Sequence, residues 1–192
     1  MPGGVPARDI AYYESAQGPG VFAPVGWHCR EIYGSGGGSL LVTPTPLDSL
    51  PCCDVPKLHG PAIELDEYIG GTSGRFPVAE YASRLFPREA AAFIKKVRDE
   101  GLEPDSDFER GPYRGDSVRY VDPRTVEYTT PGNATGLGTT GDLAPSPEAI
   151  RGWAALSGDS AWPHFVIVQI RLGADVSQLE DALMRMNHDC VR

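Results

Sequence analysis

The run Phe165-Val166-Ile167-Val168-Gln169-Ile170 is apolar at odd and even positions alike. A strand can bury both of its faces only from inside a sheet, so this stretch predicts a central strand and commits the rest of the chain to building around it. Residues 150–156 read as its partner. Two more pairs read as hairpins. Trp27-His28-Cys29-Arg30-Glu31-Ile32-Tyr33 and Ser39-Leu40-Leu41-Val42-Thr43 flank Gly34-Ser35-Gly36-Gly37-Gly38, where glycine supplies the backbone freedom of a tight connection. Residues 117–121 and 126–130 flank the turn Asp122-Pro123-Arg124-Thr125. Ala62-Ile63-Glu64-Leu65-Asp66-Glu67-Tyr68-Ile69 alternates imperfectly and predicts a strand with one polar face.

Helical spacing occurs in two blocks. Val78, Tyr81, Ala82 and Leu85 share one helix face. Pro87 interrupts the pattern, and Ala90, Phe93, Ile94 and Val97 resume it up to Gly101, a C-terminal cap. Leu179, Ala182, Leu183 and Met186 mark a C-terminal helix that opens with Ser177-Gln178-Leu179-Glu180, the spacing of a capping box. With 23 glycines and 18 prolines among 192 residues, elements should be short and turns many. These signals predict one α+β domain over residues 1–192, a largely antiparallel sheet built from hairpins with two blocks of helix on one face. Residues 1–10 are expected to be a loose N-terminal segment.

Composition narrows the partners. A net charge of −9 with no basic run disfavours nucleic acid and anionic membrane, both of which need a cationic face. No apolar window is long enough for a membrane span. Residues after Met1 carry neither the basic nor the apolar region of a secretory signal, so export would require a leader that this stretch lacks. No cofactor-binding pattern is present, and none is expected.

The chain's most constructed local site is Gly70-Gly71-Thr72-Ser73-Gly74-Arg75, between the 62–69 strand and the first helical block. A glycine-rich turn entering a helix offers free N–H groups, two hydroxyls and a guanidinium to an anion. Gly71, Thr72, Ser73, Gly74 and Arg75 are therefore the candidate ligand-binding residues. The competing reading is a capped strand-to-helix turn with Arg75 in an ordinary ion pair. The nucleotide-binding phosphate loop is absent, because Arg75-Phe76 stand where Lys and Ser or Thr would.

Other chemistry is weaker. His28 and Cys29 are strand neighbours and point to opposite faces, so a thiol nucleophile would need His59, His164 or His188 as its base. Asp105, Asp107 and Glu109 alternate as in a calcium loop, but the glycine falls at Gly111 and Arg110 opposes a cation, so no metal is expected. His188-Asp189-Cys190 lacks matching ligands at fixed spacing. Asn133-Ala134-Thr135 fits a glycosylation sequon. Cys29, Cys52, Cys53 and Cys190 are disulfide candidates; the vicinal pair is strained, which leaves two pairings that tie the 52–53 loop to both ends of the chain.

Several phrases resemble a family of uncharacterised bacterial proteins commonly predicted to be exported. They are Gly26-Trp27-His28-Cys29 with Tyr33-Gly34-Ser35, Gly70 to Phe76, Ser106-Asp107-Phe108 with Gly111-Pro112-Tyr113, and the loop from Thr130-Pro131 to Gly138. The resemblance implies a secreted or periplasmic location, and with it disulfides, but no activity. The expectation is an extracytoplasmic binding or accessory module for a small anionic or carboxylate group, or for a protein partner. The alternative is a hydrolase or transferase with an oxyanion or phosphate pocket at the 70–75 loop and His28, His59 or His164 as base.

Overall fold

The computed structural model describes residues 7–47 and 56–190. In chain order the elements are β1 (Ile10–Tyr13), β2 (Val21–Pro24), β3 (His28–Gly34), β4 (Gly37–Thr43), β5 (Ala62–Ile69), α1 (Arg75–Leu85), α2 (Ala91–Asp99), β6 (Ser117–Asp122), β7 (Thr125–Thr130), β8 (Ile150–Ser157), β9 (His164–Arg171) and α3 (Glu180–Cys190). Strands β3 to β9 form one seven-stranded antiparallel sheet in the order β3-β4-β5-β9-β8-β7-β6. The fold is α+β, and the 165–170 run lies in the middle strand, β9, as its apolar composition requires.

Helix placement departs from expectation. Phe165 and Ile167 face α1 and α2, whereas Val166, Val168 and Ile170 face Leu183 and Met184 of α3 together with Val21 and Ala23 of β2. The physical reason is the feature that makes β9 central. A strand apolar on both faces needs cover on both, so the two helical blocks divide between the faces instead of sharing one. On the first face Tyr81 of α1 stacks flat on Phe165, with centroids 4.6 Å apart, and Phe86 closes the end of the helix against the same ring. Breaking α1 from α2 falls to Pro87, and Gly101 ends α2 with a positive φ.

The capping box at Ser177 is not formed. A 3-10 turn, Ser177–Leu179, precedes α3; the Ser177 hydroxyl donates to Ala174 O, and Glu180 is drawn away by Arg151 of β8 at 2.8 Å. A charged partner two strands in from the β6 edge outcompetes a local cap here. Segment 1–10 is docked from Ala7 onward, in a 3-10 turn whose Asp9 carbonyl accepts from the Val25 N–H, while residues 1–6 lie outside the described residues. The β1–β2 hairpin is in turn held to α3 by Asn187, which accepts from Phe22 N at 2.7 Å and donates to Phe22 O at 3.0 Å. No helix among the described residues is long and apolar enough to cross a membrane.

A candidate cleft and the buried acids behind it

The 70–75 loop turns the chain from β5 into α1, and most of its polar groups are already engaged. Gly70 N donates to Pro163 O, Thr72 N and the Thr72 hydroxyl to Ile69 O, Gly74 N to the Thr72 hydroxyl, and Arg75 N to Thr72 O. The Arg75 guanidinium donates to Glu100 Oε2 at 2.9 Å and to Thr72 O at 3.0 Å, and it lies over the Phe76 ring. Only Ser73 reaches outward, to within 3.1 Å of the Ser35 hydroxyl on the β3–β4 turn. That turn sits directly on the loop: Ile69 N donates to Gly36 O, and a Cβ at Gly74 would collide with the same carbonyl. Glycine at 74 is required for this close approach rather than for an unusual φ.

Where the two turns meet, a cleft of about 350 Å3 opens on the α1 face of the sheet. Ile32, Tyr33, Tyr68 and Pro77 give it carbon-rich walls; Gly36, Gly37, Gly38 and Gly74 contribute backbone; Ser39 and Ser73 are its hydroxyls. Of the candidate ligand-binding residues, the structure brings Ser73 and Gly74 to this cleft, whereas Gly71, Thr72 and Arg75 do not line it.

Behind Ser39 lies the feature that the sequence reading missed. The polar face of β5 is not solvated. Glu64 and Asp66, two residues apart and so on one face, are both buried beneath α1 and the 131–147 loop. Ser39 Oγ donates to Asp66 Oδ1 at 2.5 Å, and Asp66 Oδ2 has no hydrogen-bond partner among the described residues. Glu64 accepts from Asp142 N at 2.7 and 2.9 Å, and Gln169 of β9, in the amide orientation its neighbours require, donates to Glu64 Oε2 and Gly138 O. Burial pushes the Asp66 carboxyl up from 3.8 to about 7, against the lowering effect of the Ser39 hydroxyl. Glu64 is pushed well above its ordinary range, first by burial and then by the charge of Asp66, with the Asp142 N–H opposing.

Comparison of the chain with family models, curated proteins and solved structures finds no match.

The loop over these acids is built by polar anchors. Asp116 accepts from the Thr130 hydroxyl and Leu137 N, and Arg171 donates to Leu58 O, Gly60 O and Ala144 O. The signal for this layer was present in the sequence. Glu64, Asp66, Gln169 and Arg171 all interrupt strands that are otherwise the most apolar in the chain, and such interruptions at a sheet centre imply buried partners.

The remaining candidates disperse. Cys29 is exposed on the outer strand β3 and forms no disulfide with another described residue; Cys52 and Cys53 lie outside the described residues, as does the Cys190 side chain. His28 and His59 are exposed, His164 opens β9 opposite Ile69, and His188 packs edge-on against Trp153; none of them lines the cleft. Asp105 and Glu109 diverge to Arg98 and Arg84 in separate ion pairs instead of converging. Asn133 is exposed, with φ of 60°.

Proposed function

We propose that the protein is an extracytoplasmic binding or accessory module that takes a small, largely apolar ligand into the cleft between the β3–β4 turn and the 70–75 loop. The cleft carries this reading: its volume of about 350 Å3 suits a small molecule, and its carbon-rich walls with two hydroxyls match the general make-up of ligand sites. The anionic ligand first expected at this loop has less support. Arg75, the cation it would need, is engaged by Glu100 and does not line the cleft. None of the four histidines lines the cleft, so it offers a hydrolase or transferase no histidine base.

The test uses 2-phenylethanol as probe and amide chemical shifts as readout. Titration should perturb Gly36, Gly38 and Gly74, and Ile32→Trp, which fills the cleft from an edge strand, should abolish the perturbation while the protein stays folded. Shifts that scatter elsewhere, or that persist unchanged in Ile32→Trp, would remove the cleft from consideration.

Export rests on the resemblance and is proposed with it. In protein recovered from an oxidising compartment, mass measured without reductant should be lower than the reduced mass by about four hydrogens, as two bridges require. Four alkylatable thiols would overturn the bridged, exported reading.

A further inference from the structure

We propose that the cleft selects a ligand bearing an ammonium group on its apolar body, held at Ser39 and drawn by the buried Asp66 carboxylate behind it. This inference rests on the cleft being a binding site and goes on to name the chemistry of its occupant.

The direction of one hydrogen bond decides the polarity. An ionised carboxylate can only accept, so Ser39 must give its proton to Asp66 Oδ1. What Ser39 then offers the cleft is lone pairs, and these read a donor. An ammonium nitrogen bonded to Ser39 Oγ would stand about 5 Å from the Asp66 carboxylate, two hydrogen-bond lengths away. At that range, through a buried path, a positive charge is favoured and a ligand carboxylate is repelled.

The surroundings do not cancel this field. The titratable groups facing Asp66 are Glu64 and Tyr68 on its own strand, Tyr81 from α1, Tyr128 from β7, and Asp142 and Lys57 from the loops. Lys57 is the one cation in that set, and it is exposed, its ammonium donating to Gly141 O. Asp66 Oδ2 is buried and has no hydrogen-bond donor among the described residues. A cation arriving at the cleft would supply the missing charge.

The test compares three probes that share one apolar body: phenethylamine, 2-phenylethanol and phenylacetate, as cation, neutral and anion. At pH 8.5 the amine should bind about tenfold or more tightly than the alcohol, and phenylacetate should bind most weakly. At pH 5.5 the preference should shrink, because Asp66, which titrates at about 7, is then neutral. Asp66→Asn should abolish the amine's advantage at pH 8.5 and leave binding of 2-phenylethanol intact. Equal binding of amine and alcohol at pH 8.5, or a preference that survives Asp66→Asn, would overturn the inference while leaving the cleft standing. Failure of all three probes to perturb Gly36 and Gly38 would remove both.

Discussion

Between pH 4 and pH 7 the protein is expected to lose stability as pH rises, the reverse of ordinary acid denaturation. Asp66 has its folded pKa raised from 3.8 to about 7. Below pH 4 both folded and unfolded chains hold the proton, and no penalty arises. Between these values the unfolded chain releases its proton while the folded chain keeps it, so the folded state binds more protons and stability falls with pH. Above pH 7 the penalty is complete, at about 4 kcal/mol for the raised Asp66 alone. Glu64, raised by the same burial, adds to the fall with the same sign. The opposing cases are Asp181, held low by Arg151, and Glu148, held low by the Ser146 hydroxyl; both are exposed, so their contribution is small and is lost on acidification below their usual range. Urea denaturation at pH 4.5 and pH 8 measures the difference. Asp66→Asn should flatten the profile and be more stable than the parent at pH 8. A parent more stable at pH 8 than at pH 4.5 would mean that Asp66 is not buried as described.

The positions of the sheet strands were legible because their signals are local and strong. The 165–170 run could only be central, the 62–69 strand has the bounds the alternation gives, and both the Pro87 break and Gly101 end helices by backbone constraint alone. Signals that depend on partners far away in sequence were not legible. Alternation in β5 separates its two faces but does not say which is wet, and it is α1 together with the return of the 131–147 loop that buries Glu64 and Asp66. The same holds for Ser177, whose cap was lost to an Arg151 that sequence spacing cannot place nearby. At the cleft, the glycines of the β3–β4 turn and of the 70–75 loop were each readable as turns. That the two turns pack on each other, Gly36 O against Gly74, is a tertiary fact. The anion reading depended on Arg75 being free, and Glu100, 25 residues on, engages it.

Arg171→Ala is expected to cost about 3–5 kcal/mol, the combined scale of losing the donor to several carbonyls and opening a cavity. The guanidinium is buried at the end of β9, and its three bonds run to the carbonyls of Leu58, Gly60 and Ala144 at 2.5, 2.8 and 2.6 Å. Those carbonyls belong to two irregular segments that have little regular structure to satisfy them. Alanine would leave the Gly60 and Ala144 carbonyls without this donor, Leu58 O with the Ala144 N–H alone, and a cavity the size of the guanidinium between them. Arg171→Lys should recover only part of the loss, because an ammonium lacks the planar fork that reaches three acceptors on diverging lines. Urea denaturation gives the total, and amide exchange locates it: protection should fall first at Leu58 and Ala144, whose N–H groups pair with Asp142 O and Leu58 O across the same junction. A loss below about 1 kcal/mol, or unchanged exchange at those amides, would show that the carbonyls find other donors. The two effects are connected through Glu64. The segment that Arg171 anchors continues into Asp142 and Gly141, which cover that carboxyl. Once it is loosened, water reaches Glu64, burial ceases to hold its pKa up, and the pH dependence of stability should flatten along with the loss of stability itself.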